Sequence, residues 1–356
     1  MFFKTKPDVS KRNVEIVCWS HIGIKDISLK PKIVTNPQFI SNYLPPESIM
    51  EIFGTSEPSE IEIINKGAEW TKLTGISERI YFNSPVNLLA GVAGDICLRK
   101  AKVPPNKVML IDVGTNTGTG FPSTAAYTKK YLADSWGPEL GKSEAMTFDM
   151  QDACQTSSSG LFTAWNYVKA SCDYVLLILA EKASELAEIG DWRGSNLFGD
   201  GAAAVLLKRS SVESFIFFNN VTDPYEDNLL AIRKDPKFKQ NGNSVHKFVG
   251  SPKSIVIEHL NDSIERSGLS WSEIDHLFPH QPTGRSVKLF TENIKKYFPK
   301  FKGKIHQDIS TGNISSASIP TLISKTIQRN EIKEGEIIVG VGFGSGLGVG
   351  AFGIRK

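Results

Sequence analysis

Residues Cys154 to Ala180 read CQTSSSGLFTAWNYVKASCDYVLLILA. The closing run, Tyr174 to Ala180, is apolar throughout and far too short to span a bilayer. It reads as a strand buried on both faces. Ahead of it, Leu161 to Ala170 has the apolar spacing of a helix. A helix feeding a doubly buried strand is a unit of an α/β fold with a largely buried sheet.

The same alternation continues in both directions. Val14 to Trp19, Val108 to Val113, Glu144 to Met150 and Ala202 to Leu207 read as strands. Ser84-Pro85 starts a helix that places Leu88, Leu89, Val92, Ala93 and Ile96 on one face, and Pro104-Pro105 ends that unit. Glu57 to Leu73 and Pro122 to Leu132 read as helices, whereas residues 20 to 55 give no clear element. Downstream, helices are expected over Pro252 to Ser267, Thr283 to Phe298 and Ile314 to Asn330. Strands are expected at Ile274 to Phe278, Ile337 to Val341 and Leu347 to Ile354. The polar stretch 219 to 251 reads as exposed loops, or as a linker. LFGDGAAAVLL (197 to 207) and VGFGSGLGVGAFGI (341 to 354) end the two halves alike, a hint of internal duplication.

With 356 residues, 40% of them hydrophobic, the chain can build two cores. A net charge of +3 gives no electrostatic case for nucleic acid or a membrane surface. The cysteines are Cys18, Cys97, Cys154 and Cys172, with no C-x-x-C pair. This predicts reduced thiols in a cytoplasmic protein rather than disulfides or a zinc site. The opening MFFKTKPDVSKR lacks the apolar core of a signal peptide. No metal and no cofactor is expected.

Four places could carry chemistry. Cys154 precedes a helix, where free N–H groups and the helix dipole would favour a thiolate and could hold an oxyanion. A lone cysteine is also commonly inert filler. His280, in LFPHQPTGRSV, follows a short strand, as a general base or a donor aimed into a cleft would; a surface loop histidine is the alternative. Asn313, in STGNISSASIP, stands before a run of small residues, either orienting a ligand or capping a helix. The glycines of GFGSGLGVGA (342 to 351) suggest a tight turn with free backbone N–H groups. Neither they nor GTNTGTG (114 to 120) has the spacing of a nucleotide fingerprint.

The order of these pieces is more specific than any one of them. DAC (152 to 154), FGDGAAAVLL (198 to 207), PHQPTGR (279 to 285), GNISSASIP (312 to 320) and GFGSG (342 to 346) occur in sequence, joined by EWTKLTGISER (69 to 79) and FPSTAA (121 to 126). From about Glu69 onward the chain resembles the β-ketoacyl-acyl-carrier-protein synthase III family of the thiolase superfamily. The resemblance implies a five-layered αβαβα fold of two related halves, residues 1–210 carrying the cysteine and 211–356 carrying the histidine and asparagine. It also implies a homodimer and a ping-pong decarboxylating Claisen condensation on thioesters of coenzyme A or acyl carrier protein. Cys154 would be the acylated nucleophile. His280 and Asn313 would hold the extender's thioester carbonyl as CO2 leaves, and the N–H groups of Cys154 and Ser345 would form the oxyanion hole. Phe121, Phe198 and Gly344 would shape the cleft.

Departures from the family pattern carry further expectations. Gln155 and Thr156 stand where a small residue and glycine usually follow the cysteine, which predicts a reshaped acyl pocket. Leu73, with Lys72 beside it, replaces an arginine that stacks on adenine, while Trp70 matches its partner tryptophan. A carrier-protein-bound primer gains weight from this. Lys72, Arg79, Arg193, Arg285 and Lys288 are candidates for touching an acidic carrier protein. Two alternatives share the fold: an acyltransferase forming an ester or amide without decarboxylation, and a supporting subunit of a heteromeric synthase. A papain-like protease fits the Cys-His-Asn chain order but lacks the local signature.

Overall fold

The computed structural model describes residues 12–185, 192–222, 230–231, 239–240, 249–345 and 347–356. In chain order the strands are β1 (Asn13–His21), β2 (Pro31–Thr35), β3 (Glu78–Phe82), β4 (Leu110–Gly114), β5 (Met146–Met150), β6 (Tyr174–Lys182) and β7 (Asp200–Ser210). Then come β8 (Phe215–Thr222), β9 (Leu230–Ala231), β10 (Lys239–Gln240), β11 (His276–Pro279), β12 (Lys304–Ile305), β13 (Ile337–Gly344) and β14 (Gly348–Arg355). The helices are α1 (Asn36–Tyr43), α2 (Pro46–Phe53), α3 (Glu60–Thr74), α4 (Val86–Ala101) and α5 (Thr124–Leu140). They continue with α6 (Thr156–Ala170), α7 (Trp192–Ser195), α8 (Ile255–Arg266), α9 (Gly284–Tyr297) and α10 (Ser318–Gln328).

Two five-stranded sheets share one plan. The first runs β5-β4-β6-β7-β1 and the second β12-β11-β13-β14-β8. In the first, β4 is parallel to β5 and β6, and β7 is antiparallel to β6 and β1. In the second, β11 is parallel to β12 and β13, and β14 is antiparallel to β13 and β8. Order and direction agree strand for strand, so the duplication hinted at by the glycine-rich segments is a property of the topology.

Side-chain alternation along the strands builds the layers. On β6, Val175, Leu177 and Leu179 face one core, while Leu176, Ile178 and Ala180 face another. The first of these cores also takes Leu161 and Val168 from α6, Leu322 and Ile323 from α10, and Ile338 and Phe352 from the second sheet. The second joins α4 residues Leu89 and Ala93 to the outer face of the first sheet. A third packs Ile257 and Leu260 of α8 and Phe290 and Ile294 of α9 on Val339 and Val349. Two outer helical layers, two sheets and a shared middle layer of α6 and α10 make a five-layered αβαβα fold. The Tyr174–Ala180 run is apolar throughout because it lies between two of these cores.

Several elements depart from the sequence reading. Residues 20 to 55 hold β2, α1 and α2, with a Thr35–Gln38 capping box opening α1. The polar 219–251 stretch begins as the end of β8, whose aromatic start packs on β14. Residues 223–229, 232–238 and 241–248 lie outside the described set. The helix expected from Ile314 opens instead as a 3-10 turn, Ser315–Ala317, because Ser315 has φ 48°. Among the described residues no helix is long and apolar enough to cross a membrane.

Candidate active site

Cys154 sits on a strained turn between strand and helix. After β5 ends, a 3-10 turn covers Ala153–Gln155 and α6 follows at once. Ala153 lies in the left-handed region at φ 49°, which costs a residue with a Cβ about 1–2 kcal/mol. Polar residues lock the turn. Thr156 Oγ1 donates to the Ala153 carbonyl at 2.6 Å and accepts from the Asp152 N–H at 3.0 Å. Gln155 Nε2 donates to Asp152 Oδ1 at 2.7 Å, and Ser159 donates to the other carboxylate oxygen.

Gln155 and Thr156 are thus buried, at 2% and 0% exposure, and brace the Cys154 turn. Cys154 does stand at a helix start, but burial works against the thiolate that such a position favours. The thiol is enclosed, although the residue keeps some open surface, and burial pushes it up to about 12. A hydrogen bond with Ser315 opposes the burial, while the Glu181 charge adds to it.

The glycines of 342 to 351 serve close approach. A Cβ at Gly344 would stand 2.8 Å from the Cys154 backbone nitrogen, and one at Gly342 would stand 3.0 Å from the Gln155 Cα. At Gly348 it would meet the Gln155 amide at 2.0 Å. The β13–β14 hairpin therefore rests directly on the Cys154 turn. Ser345 follows Gly344 in the hairpin turn, and Gly346 lies outside the described residues.

His280 follows β11, with its backbone N–H bonded to the Val341 carbonyl at 2.9 Å. Val341 is the neighbour of Gly342, so β13 brings His280 to the cysteine's side of the fold. The ring is 2% exposed and meets Phe343 edge-on, with centroids 5.4 Å apart. Burial holds its pKa down at about 3, so the imidazole is neutral. Nδ1 is buried with no hydrogen-bond partner among the described residues.

The Asn313 backbone is fixed by two hydrogen bonds: its N–H donates to Leu197 O at 2.8 Å and its carbonyl accepts from the Gly199 N–H at 3.0 Å, which together form an isolated bridge with Phe198. A Cβ at Gly199 would fall 1.9 Å from the Thr311 carbonyl, so glycine there permits this approach. Asn313 Oδ1 accepts from the Ser315 N–H at 2.9 Å. With its oxygen engaged, the amide presents its two N–H donors elsewhere. Phe198, 4% exposed, backs Asn313.

Ser315 joins these parts: its Oγ lies 3.5 Å from Cys154 Sγ and accepts from Asn116 Nδ2 at 3.2 Å. Asn116 is in turn bound to the fully buried Glu181. The sequence reading did not single out Ser315, Asn116 or Glu181. The available signal was a glutamate directly after an apolar strand, at the carboxyl end where α/β folds place their sites.

Three expected residues lie elsewhere. Trp70 is 3% exposed in a small core with Val34, Phe39 and Ile40, so it has no face open to an adenine. Arg79 is completely buried, donating to Asn36 and stacked over the Phe39 ring at 5.1 Å, so it cannot meet a carrier protein. Phe121 is fully exposed, at 104%, and does not wall the cleft of its own chain. The side chain of Arg193 lies outside the described residues. Lys72, Arg285 and Lys288 are exposed where the end of α3 meets the start of α9, at the Gly75–Gly284 contact. Among the described residues no group of three His, Cys, Asp or Glu could hold a metal ion.

The model of 3-oxoacyl-[acyl-carrier-protein] synthase III matches residues 148–224, and that of its C-terminal region matches 264–356. The β-ketoacyl-[acyl-carrier-protein] synthase III of Latilactobacillus sakei subsp. sakei (strain 23K) is 31% identical over 313 residues, covering 81% of this chain and 91% of that protein. Its namesake from Bacillus pumilus (strain SAFR-032) is 30% identical over 304 residues, covering 83% and 92%. The crystal structure of 3-oxoacyl-[acyl-carrier-protein] synthase III from Aquifex aeolicus VF5 aligns with TM-score 0.77 and 26% identity, over 97% of this chain and 100% of that one. The priming β-ketosynthase of the R1128 polyketide pathway shares the fold at TM-score 0.77 and 20% identity, over 97% and 96%. With its fold, its chain order of Cys154, His280 and Asn313, and these relatives, the chain belongs to the 3-oxoacyl-[acyl-carrier-protein] synthase III family of acyltransferase-type condensing enzymes.

Proposed function

We propose that an acyl group is loaded on Cys154 and condensed with a malonyl- or β-ketoacyl-type thioester, with loss of CO2. The sulfur attacks the donor thioester carbonyl, and the donor's thiol leaves with a proton. The extender then sheds its carboxylate as CO2. The electron pair left behind forms an enolate that attacks the acyl-enzyme carbonyl and releases the cysteine. A neutral His280 and the N–H groups of Asn313 hold the enolate oxygen without handing the carbanion a proton early. The N–H groups of Cys154 and Ser345 receive the oxyanion of acyl transfer. The observation that supports this reading is the pair of side chains themselves: a His280 ring kept neutral by burial and short of a partner at Nδ1, and an Asn313 amide whose oxygen is already engaged.

The test is to incubate the protein with acyl and malonyl thioesters, following CO2 release and the new carbon–carbon bond. Wild type makes both and His280→Ala loses CO2 release first. Ester or amide product without CO2 would favour plain acyl transfer. That alternative draws on the Gln155 and Thr156 side chains next to Cys154, where the family usually has a small residue and glycine.

Carrier-bound substrates fit better than a coenzyme A primer, because Trp70 is core and Leu73, 53% exposed, offers no stacking cation. Exposed Lys72, Arg285 and Lys288 suit an acidic carrier protein. A homodimer is part of this reading. Phe121 stands clear of its own chain, with Tyr127 and Phe162 also 39% and 43% exposed, and a second copy would cover such surface. We read the halves as 1–210 and 211–356, supported by the two matching sheets. The four free thiols suit a cytoplasmic setting.

A further inference from the structure

Glu181 is a carboxylate at 0% exposure near the nucleophile that the condensation does not use. Its oxygens accept from the Asn116 N–H at 2.9 Å, Asn116 Nδ2 at 2.6 Å, Thr117 Oγ1 at 3.3 Å and Ser316 Oγ at 2.5 Å. A carboxylate met by donors alone fixes the amide of Asn116, because turning it over would set its oxygen against the carboxylate. The N–H side of Asn116 therefore also faces Ser315 Oγ at 3.2 Å and the Ala153 carbonyl at 3.3 Å.

With Glu181 taking one Asn116 hydrogen, Ser315 Oγ shares the other with the Ala153 carbonyl and places its own hydrogen elsewhere. Among the described residues its other hydrogen-bond partner is Cys154 Sγ, at 3.5 Å. The backbone N–H of the same residue holds Asn313 Oδ1 at 2.9 Å. Ser315 thus touches the nucleophile with its side chain and sets the asparagine with its main chain. It does so from φ 48°, a conformation a residue with a Cβ adopts at a cost.

We propose that Ser315 is a positioning residue for the reaction, its hydroxyl hydrogen turned onto Cys154 Sγ by an Asn116 amide that the buried Glu181 holds in one orientation. The donor meets the sulfur when it carries negative charge, and loses that charge to answer once the cysteine is acylated. The relay therefore favours the free thiolate and gives the attacking sulfur a fixed direction. The proposal rests on the condensing reading for its purpose, and its test needs no acyl donor.

The experiment follows alkylation of Cys154 by iodoacetamide from pH 6 to 10, read peptide by peptide in a mass spectrometer so that the other thiols do not interfere. Wild type is compared with Ser315→Ala, Ser315→Gly, Asn116→Ala and the double variant Asn116→Ala/Ser315→Gly. Glycine suits the left-handed conformation and removes the hydroxyl, so it carries the test where alanine disturbs folding. The expected result at pH 7.5 is an alkylation rate about tenfold lower in both Ser315 variants, with the pH profile displaced upward, as fits loss of a hydrogen bond to a charged group. Asn116→Ala should act in the same direction in wild type and have no further effect in the Ser315→Gly background. Two results would overturn the proposal: a Ser315→Gly profile equal to wild type, or an Asn116→Ala effect as large with Ser315 removed as with it present. Failure of acyl loading in a protein that shows the expected coupling would count against the condensing reading alone.

Discussion

Gly344 lies so close to Cys154 that a Cβ on it would stand 2.8 Å from the cysteine's backbone nitrogen. That nitrogen is the donor assigned to the oxyanion. Gly344→Ala must therefore displace either the hairpin or the nucleophile turn. We expect a stability loss of about 1–3 kcal/mol, as for other overpacked sites. Acyl loading should fall roughly 100-fold, the scale of losing one oxyanion donor. Urea titration and a loading time course check the two parts separately.

Asn313→Ala should separate the half-reactions. The amide serves the extender, so loading of Cys154 should persist near the wild-type rate. Condensation should fall by about 10²–10³, as when an oxyanion-type donor is removed. Loading and condensation falling together would mean that Asn313 acts on the nucleophile turn instead.

Burial shapes the pH response of His280. Its pKa is held at about 3, against 6.5 ordinarily. Below pH 6.5 the unfolded chain takes up a proton that the folded chain refuses, so the histidine's contribution to stability is full above 6.5 and declines toward about 3. Asp112, pushed up to about 8 by burial and by Asp149, acts in the opposite sense over pH 4–8. The histidine is isolated by difference. Between pH 7.5 and 5, His280→Gln should lose less urea stability than wild type, with unchanged m. An equal loss in the two proteins would contradict a neutral buried ring.

Gln155→Ala should cost about 1–3 kcal/mol by removing its hydrogen bond to the half-buried Asp152 carboxylate and opening space beneath Gly348. The preference among primer chain lengths should stay as in wild type. A changed preference would place Gln155 in the pocket wall, and competition between primers of two lengths reads it.

The sequence was most legible where packing repeats. Tyr174–Ala180 alternates between two cores, and that alternation reads directly as a doubly covered strand. Cys154, His280 and Asn313 were singled out by type and order, and each stands at an element end that the pattern could place. The misreadings share a cause: one residue type serves several environments. Arg79 looked like surface charge but lies inside, between Asn36 and Phe39. Trp70 looked like a stacking platform but fills a satellite core. The hairpin glycines also admit the backbone of the Cys154 turn, a close approach that their spacing alone does not show. Ser315 was hidden in a run of small residues because its importance lies in a φ of 48° and a 3.5 Å contact across 161 positions of chain, which no local pattern encodes.

The central claim, that an acyl group resides on Cys154, is tested most directly by intact protein mass. Wild type and Cys154→Ala are mixed with a panel of acyl-coenzyme A and acyl-carrier-protein thioesters. The account predicts a mass gain of one acyl group in wild type, greater with carrier-bound donors, and none in the variant. No gain with any donor, or a gain that persists in Cys154→Ala, would contradict it.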